Sequence, residues 1–426
     1  MTRTGSHPSC ISPDGPADPL AAVSPGPRLA AVHRDLRRAV AEFARDRVAP
    51  RITRMEATGE VEHGLVTEMA RRGWIGVTIP AAHGGMGLGH EAKTLVIEEL
   101  SRVSGAMGAA AQASMLGVAK ILHFGTGEQH RQWLPAIAAG ACLPTIAVTE
   151  KASGGEVLSM KATGRRKGAQ WVLTGRKTFI GNSHLGHLHG VVVRTGTARD
   201  RSRRLTAFLV EHDRKGVTLA PHPPYLGLRG FSFGEVILDH VTVPDSNRIG
   251  EVGEGLDVAY SSSVLYGRLN LAAVALGIHD ATRAQATSYA SGRPRIAAHS
   301  TVRNRLGEID ALLRTSRLAV YHAARRLDGG LPCDADLLTA KYSAVEGVQR
   351  ATALGMRIHG AAGLSAGLPM ERYHRDAQCL EPPAGTADIQ LHRLAEDLLS
   401  PGRHPQWSAR FARPLTPPPA ALAHSP

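Results

Sequence analysis

The side chains best suited to chemistry crowd into one stretch near the C-terminus. It reads Arg375-Asp376-Ala377-Gln378-Cys379-Leu380-Glu381-Pro382-Pro383-Ala384-Gly385-Thr386-Ala387-Asp388-Ile389-Gln390. Its carboxylates suit proton transfer, and Pro382-Pro383 stiffens the chain between Glu381 and Ala384. A second cluster, His184, His187 and His189, invites a metal. Its spacing fits neither a helix face nor one strand face throughout, so it reads as a polar loop between strands, with no metal. The basic run Arg199-Asp200-Arg201-Ser202-Arg203-Arg204 reads as a solvated hairpin loop. Its functional alternative is a contact with an anion or a carrier protein. The cysteines Cys10, Cys142, Cys333 and Cys379 are scattered, with no Cys-x-x-Cys. That argues against a disulfide framework and a zinc site, and fits a reducing cytoplasm.

At 426 residues the chain is long enough for two or three units with sizeable cores. Hydrophobic residues make up 43% and charged ones 20%, so most of the chain is expected to be globular. The net charge is +13, which favours acidic partners such as phosphates, CoA or an acidic carrier protein. Nucleic acid is not expected. Aromatics are only 4%, and no aromatic-basic interleave or recognisable nucleic-acid module is present. No apolar run approaches the length of a membrane span. The first residues lack the apolar core of a signal peptide, so a cytoplasmic location is expected.

Residues 1–27 and 401–426 are Pro-rich and read as a disordered arm and a tail. From Leu29 the apolar residues Leu29, Val32, Leu36, Val40 and Phe43 recur at helical spacing. Further helices are expected near residues 64–72, 91–103 and 109–124. Gly84-Gly85-Met86-Gly87 marks a tight loop. Near Leu143 the period changes. Short β-rich runs at 146–148, 171–174, 190–193, 206–210 and 235–238 predict a small antiparallel β domain over 143–252. From Gly255 the helical period returns, with Val302, Leu306, Ile309 and Leu313, then Val345, Val348, Ala351, Leu354 and Ile358. Long helices with short connections predict a bundle over 253–400. The fold class is α+β: an N-terminal helical domain (28–142), a central antiparallel β domain, and a C-terminal four-helix bundle.

This order, and the stretch from Arg375 to Gln390, resemble the acyl-CoA dehydrogenase family over roughly residues 30–400. There the stretch carries Arg-Asp-Ala, six residues, then Glu-Gly-Thr, often followed by Ile-Gln. The chain keeps that length but has Ala384 where the family has its catalytic Glu. An alanine cannot take a proton. A minority branch of the family places its Glu just before an Arg on the first bundle helix. In Tyr266-Gly267-Arg268 that position is Gly267, so the alternative base is missing too.

The resemblance implies FAD as cofactor. Thr149-Glu150-Lys151-Ala152-Ser153-Gly154-Gly155 stands for the family's Thr-Glu-Pro-x-x-Gly-Ser. Thr149 and Gly154 remain, and Gly155 still offers an N–H to a phosphate. Gly175-Arg176-Lys177-Thr178-Phe179-Ile180-Gly181-Asn182 stands for a flavin-facing strand. Phe179 can stack on the flavin edge, and Gly181 lacks a hydroxyl. Arg293, Asn304, Arg357 and Gly360 fall where one subunit holds the FAD of its neighbour. This implies a homotetramer or homodimer. Arg293 suits a pyrophosphate because its planar fork matches phosphate oxygens. Thr386 and Asp388 complete the FAD set. Arg268 and Gly385 fall on the substrate side.

The implied substrate is an acyl thioester, on CoA or an acyl carrier protein. In the family the backbone N–H of the catalytic Glu also polarises the thioester carbonyl. Ala384 keeps that N–H. A positioned base contributes about 10²–10⁴-fold, so ordinary desaturation is expected to be badly impaired. Three readings follow. One is a flavin enzyme of altered chemistry on a thioester. Another is an α,β-dehydrogenase with a relocated base, Glu381 or Tyr266. The third is a non-catalytic paralogue that binds acyl groups or a partner. Three extended residues span roughly 10 Å, so Glu381 is not expected to swing into place. Tyr266 would need its pKa to fall far from about 10.

Overall fold

The computed structural model describes residues 27–220, 225–403 and 406–411. The expected arm lies outside the described residues but for Pro27, which opens the first helix. Most of the expected Pro-rich tail, beyond residue 411, lies outside them as well.

The N-terminal helices are α1 (Pro27–Phe43), α2 (Ile52–Thr58), α3 (His63–Arg71), α4 (Gly89–Val103), α5 (Gly105–Phe124) and α6 (Gly127–Ala138). The apolar period of α1 buries Leu36, Val40 and Phe43, whereas Val32, nearer the start of the helix, stays exposed. Ser104 separates α4 from α5. Its extended backbone (φ −147°) ends α4, and its Oγ accepts the Met107 N–H at 3.4 Å. A capping box between Thr126 and Gln129 starts α6.

The strands are β1 (Pro144–Ala147), β2 (Thr163–Lys167), β3 (Gln170–Gly181), β4 (Leu188–Arg194), β5 (Leu205–Glu211), β6 (Val217–Ala220), β7 (Phe233–Pro244) and β8 (Arg248–Ile249). The sheet runs β6-β7-β3-β2-β4-β5-β8, with β1 beside β4. Its pairs are antiparallel except that β1 and β2 meet β4 parallel. The long β3–β7 ribbon is broken by irregularities at Leu173/Gly175 and Lys177/Ile180. Those interrupt the two-residue alternation, which is why the sequence reads as shorter runs there. β2 and β6 carry too few buried apolar residues to stand out from loops.

The C-terminal helices are α7 (Gly255–Ser261), α8 (Arg268–Ser291), α9 (Pro294–Ala298), α10 (Ser300–Asp328), α11 (Asp334–His359), α12 (Met370–Gln378), α13 (Ala387–Leu399) and α14 (Trp407–Phe411). A π-helical turn over Ser262–Gly267 joins α7 to α8. The periodic residues of α10 and α11 are buried against α8 as expected, with Leu306 at the edge.

The bundle core also holds charge. The Asp280 carboxylate of α8, 1% exposed, pairs with Arg102 of α4, Arg283 and Arg317. Arg317 also donates to Glu98 Oε1 at 3.0 Å, and the Tyr321 hydroxyl donates to Glu98 Oε2 at 2.7 Å. This network ties α4 to α8 and α10. Burial alone would raise the Asp280 carboxyl, but Arg102, Arg317 and Arg283 together hold it below its ordinary value of 3.8.

Breaking a buried pair by removing one partner costs about 3–5 kcal/mol. Asp280→Asn should therefore lower the thermal midpoint by several degrees. A depressed carboxyl stabilises above its unfolded pKa and loses that contribution as pH falls through the folded value. The gap between wild type and variant should be widest near neutrality and narrow progressively as pH falls below about 4. An equal gap at pH 7 and pH 3 would contradict the network as described.

Candidate active site

The stretch from Arg375 to Gln390 forms the end of α12, a loop, and the start of α13. Arg375 joins three parts of the molecule. It donates to Glu56 Oε2 at 2.6 Å, to Glu371 Oε2 at 2.6 Å and to the Leu226 carbonyl at 3.1 Å. Asp376 is buried, and its carboxylate accepts the Leu228 N–H at 2.6 Å. Burial pushes the Asp376 carboxyl up to about 6. The loop is then tied to the bundle by Lys341 of α11. Its ammonium donates to the Glu381 carbonyl at 3.0 Å and to the Gly385 carbonyl. Gln390 donates to the Ala384 and Gly385 carbonyls at 3.2 and 3.0 Å. Thr386 caps α13 by accepting the Ile389 N–H at 3.5 Å.

These bonds hold Ala384 at φ +57°, a left-handed backbone rare for residues with a side chain. Such a conformation costs on the order of 1–3 kcal/mol and persists only where the surroundings determine it. Gly267 lies opposite. A Cβ built on Gly267 would sit 3.4 Å from the Ala384 Cβ. The two positions at which the family resemblance puts a base thus converge, one from the loop and one from the bundle. They share a cavity of about 90 Å³ with Gln112, Leu116, Ile146, Val148, Ser263, Leu271 and Pro383. Ala259 and Ser262 complete its described lining, which contains no carboxylate, imidazole, amine, thiol or phenol.

Neither substitute base lines this cavity. Glu381 turns toward α13, where its carboxylate accepts the Ala387 N–H at 2.7 Å. Tyr266 is fully buried behind the helix, its hydroxyl donating to Thr78 Oγ1 at 3.4 Å. Lys93 Nζ lies 3.9 Å from its ring centroid. Burial pushes the Tyr266 phenol up, opposite to what a base requires. Arg268 is buried, with Nε unpartnered, and burial lowers its guanidinium to about 10.

The positions assigned to FAD form two groups. In the first, Lys177, whose side chain is wholly buried, donates to the Val148 carbonyl at 2.9 Å and to Glu150 Oε1 at 2.8 Å. The Thr178 N–H donates to the Thr149 carbonyl at 2.9 Å. These bonds set Thr149 beside Phe179, a residue 49% exposed. A methyl group placed on Gly154 or Gly155 would meet nothing within 4 Å, so their backbone is open to a large anion. Gly181 differs from expectation. A Cβ there would meet Ala113 Cβ at 2.9 Å and the Phe231 ring at 3.1 Å, so packing fills the space of the missing hydroxyl. Thr386 and the exposed Asp388 stand at the head of α13.

The second group lies where the ends of α8 and α11 meet the start of α10. Arg293 stacks on Tyr289, 3.7 Å from its ring centroid, and Tyr289 packs on His359 at 4.1 Å. Arg293, Asn304 and Arg357 are exposed, and Gly360 (φ +58°) is open. An exposed aromatic ring, an open glycine turn, a capped helix start and exposed guanidinium forks fit FAD, with Gly181 the one tight point. The histidines go to different partners: His187 accepts the Leu143 N–H at 3.1 Å, and His189 bonds Thr145 Oγ1 at 2.7 Å. Arg201 pairs with Glu156 at 3.1 Å, and Arg203 lies 3.8 Å from Asp257.

Sequence reasoning missed Lys341 and Gln112. A lone Lys or Gln within a helical period has no local signal, because its role depends on what another helix brings to it. Two hydrogen bonds to backbone carbonyls contribute about 1–3 kcal/mol together. Lys341→Met should thus raise amide exchange over residues 381–390 roughly tenfold or more. Exchange in β3 and β7 should not change. Uniform exchange across the chain, or none gained in the loop, would contradict the tether.

Family models match the chain in three consecutive parts. The acyl-CoA dehydrogenase N-terminal domain covers residues 31–141, the middle domain 145–241 and the C-terminal domain 253–399. An acyl-CoA dehydrogenase of Bacillus subtilis (strain 168) is 33% identical, over 85% of this chain and 97% of its own. Among solved structures, butyryl-CoA dehydrogenase from Megasphaera elsdenii superposes with a TM-score of 0.83 at 26% identity. That match covers 86% of this chain and 98% of the other. An acyl-CoA dehydrogenase complexed with FAD from Bacillus anthracis gives a TM-score of 0.79 at 25% identity, over 87% of this chain and 67% of its own. The chain belongs to the acyl-CoA dehydrogenase family.

Proposed function

We propose that the chain binds FAD and acts on an acyl thioester, carried by CoA or a carrier protein, by chemistry other than ordinary α,β-dehydrogenation. One observation carries this reading: the cavity between Ala384 and Gly267 has no titratable side chain in its described lining. Bound FAD would supply a hydride acceptor. Thr149, Phe179 and the open Gly154-Gly155 backbone would hold it from the β domain, with Thr386 at the head of α13. Arg293 and Arg357 would meet the cofactor of a second copy, which makes the working form a homo-oligomer.

The chain's own residues retain the polarising part of the site. The left-handed turn at Ala384 orients its N–H, and backbone donors act strongly where water is excluded. What is lacking is a group to take the proton next to the thioester carbonyl. The role of the loop is then to bind and orient a thioester, with proton removal left to the substrate, solvent or another reactant.

Ala384→Glu tests this. A carboxylate there would enter the cavity beside Gly267 on a backbone already held in place. Anaerobic flavin reduction by butyryl-CoA should rise about 10²–10⁴-fold. Glu381→Gln and Tyr266→Phe should leave the wild-type rate unchanged. Brisk reduction by wild type that Glu381→Gln abolishes would restore the relocated base. A colourless protein that gives no thermal stabilisation with added FAD would favour the non-catalytic paralogue.

A further inference from the structure

The cavity beside Ala384 has two facing walls with separate supports. One is Pro383 and Ala384, on the loop that Lys341 of α11 tethers. The other includes Ala259, Ser262, Ser263 and Gly267, on α7 and the π-helical turn. π-Helical turns are departures from the regular helical ladder. Keeping the cavity at one width requires a link between the two supports.

The C-terminal helix α14 supplies that link. It lies beyond residue 399, where the family match ends. Its first residues bond to the start of α11. The Trp407 and Ser408 N–H groups donate to the Asp334 carboxylate at 2.7 and 2.8 Å, and Ser408 Oγ accepts the Cys333 N–H at 2.8 Å. Cys333, Asp334 and Ser408 are buried, where hydrogen bonds are electrostatically stronger than in water. α14 also packs against α7 and the π-helical turn. There the Trp407 ring stacks on Tyr260, with centroids 5.0 Å apart and planes at 24°. Tyr260 stands between Ala259 and Ser262 in the chain. Asp334 acts on this wall too. Burial lowers the guanidinium of Arg268, the residue after Gly267, and the Asp334 carboxylate opposes that shift.

Resting on the thioester reading above, we infer that Trp407 and Ser408 form a strap that fixes the width of the acyl cavity and so limits the acyl chain to a short one. The strap ties the turn bearing Gly267 to the start of α11. About two helical turns further on, α11 holds the loop bearing Ala384 through Lys341. Trp407 is a positioning residue: it touches Tyr260 and does not line the cavity. The locked walls enclose about 90 Å³, against roughly 300 Å³ or more for a pocket that takes a drug-sized ligand. Releasing the strap frees the π-helical wall to move outward and make room for a longer chain.

The test compares wild type with Trp407→Ala in two measurements. Amide exchange needs no ligand. It should rise about tenfold over residues 255–267, with β3 and β7 unchanged. Perturbation of the flavin spectrum of the FAD-loaded protein, under anaerobic conditions, gives dissociation constants for butyryl-CoA and octanoyl-CoA. Wild type should hold butyryl-CoA about tenfold or more tighter, the scale on which a pocket discriminates by methylene count. The variant should bring the ratio close to one. Trp407→Phe keeps a ring on Tyr260 and should retain the wild-type ratio. Ser408→Ala removes the bond to Cys333 and should narrow the ratio in the same direction, which keeps the test open if Trp407→Ala does not fold. A purely structural role would weaken both thioesters together. A ratio unchanged in the variants, or exchange that rises throughout the chain or not at all in 255–267, would overturn the inference and leave the thioester reading standing. Binding of neither thioester by wild type would overturn that reading, and the strap's part in chain-length selection with it.

Discussion

One buried ammonium determines the shape of the site. Lys341 is held where α11 passes beneath the loop from Glu381 to Thr386, and two of that loop's carbonyls point at it. Desolvation lowers its pKa to about 8, with Glu381 opposing the shift. Carbonyls buried without donors are strongly disfavoured, so the loop has few other conformations available. Ala384 therefore sits at φ +57° for backbone reasons. Nothing in that requirement depends on its side chain. The backbone conformation at Ala384 is therefore independent of any carboxylate at that position.

The site is also a junction. Gln112 and Leu116 come from the N-terminal helices, Ile146 and Val148 from the start of the β domain, Gly267 and Leu271 from the bundle. Arg375 and Asp376 fix that meeting by binding Glu56 on one side and the Leu226–Leu228 backbone on the other. The cavity consequently inherits its dimensions from how the domains dock. Deeper in the bundle, Asp280 and its guanidinium partners fix the pitch of α4 on α8. Buried ion pairs are weak evidence for stability by themselves. Here they set the position of α8, which follows directly on the Gly267 wall of the site and carries its Leu271.

Much of this was legible in the residues, and the boundary between what was and was not is physical. Helical period placed α10 and α11 because Val302, Ile309, Leu313, Val348 and Ile358 are all buried. The β domain was legible as a whole. β3 and β7 were seen only in pieces, since their bulges break the alternation. The Arg-Asp-Ala and Gly-Thr landmarks located the loop and exposed the missing Glu. The role of Arg375 as a clamp was not visible, because two of its partners, Glu56 and Leu226, lie 319 and 149 residues away. Nor was the fate of Tyr266. One residue from Gly267 in sequence, it is turned by the helix into Thr78 and Lys93. Adjacency along a helix does not mean a shared face. Gly181 shows the same limit: the lost hydroxyl was readable, and the Phe231 ring that fills its place was not.

A site that binds and polarises an acyl thioester, without a base to deprotonate it, has a distinct spectral signature. The most direct test is an anaerobic titration of the FAD-loaded wild-type protein with butyryl-CoA, followed in the visible flavin bands. The bands should shift and sharpen as the thioester binds while their intensity is retained, since no proton is removed and no hydride follows. Rapid bleaching of the flavin to its reduced form on mixing would contradict a site without a base.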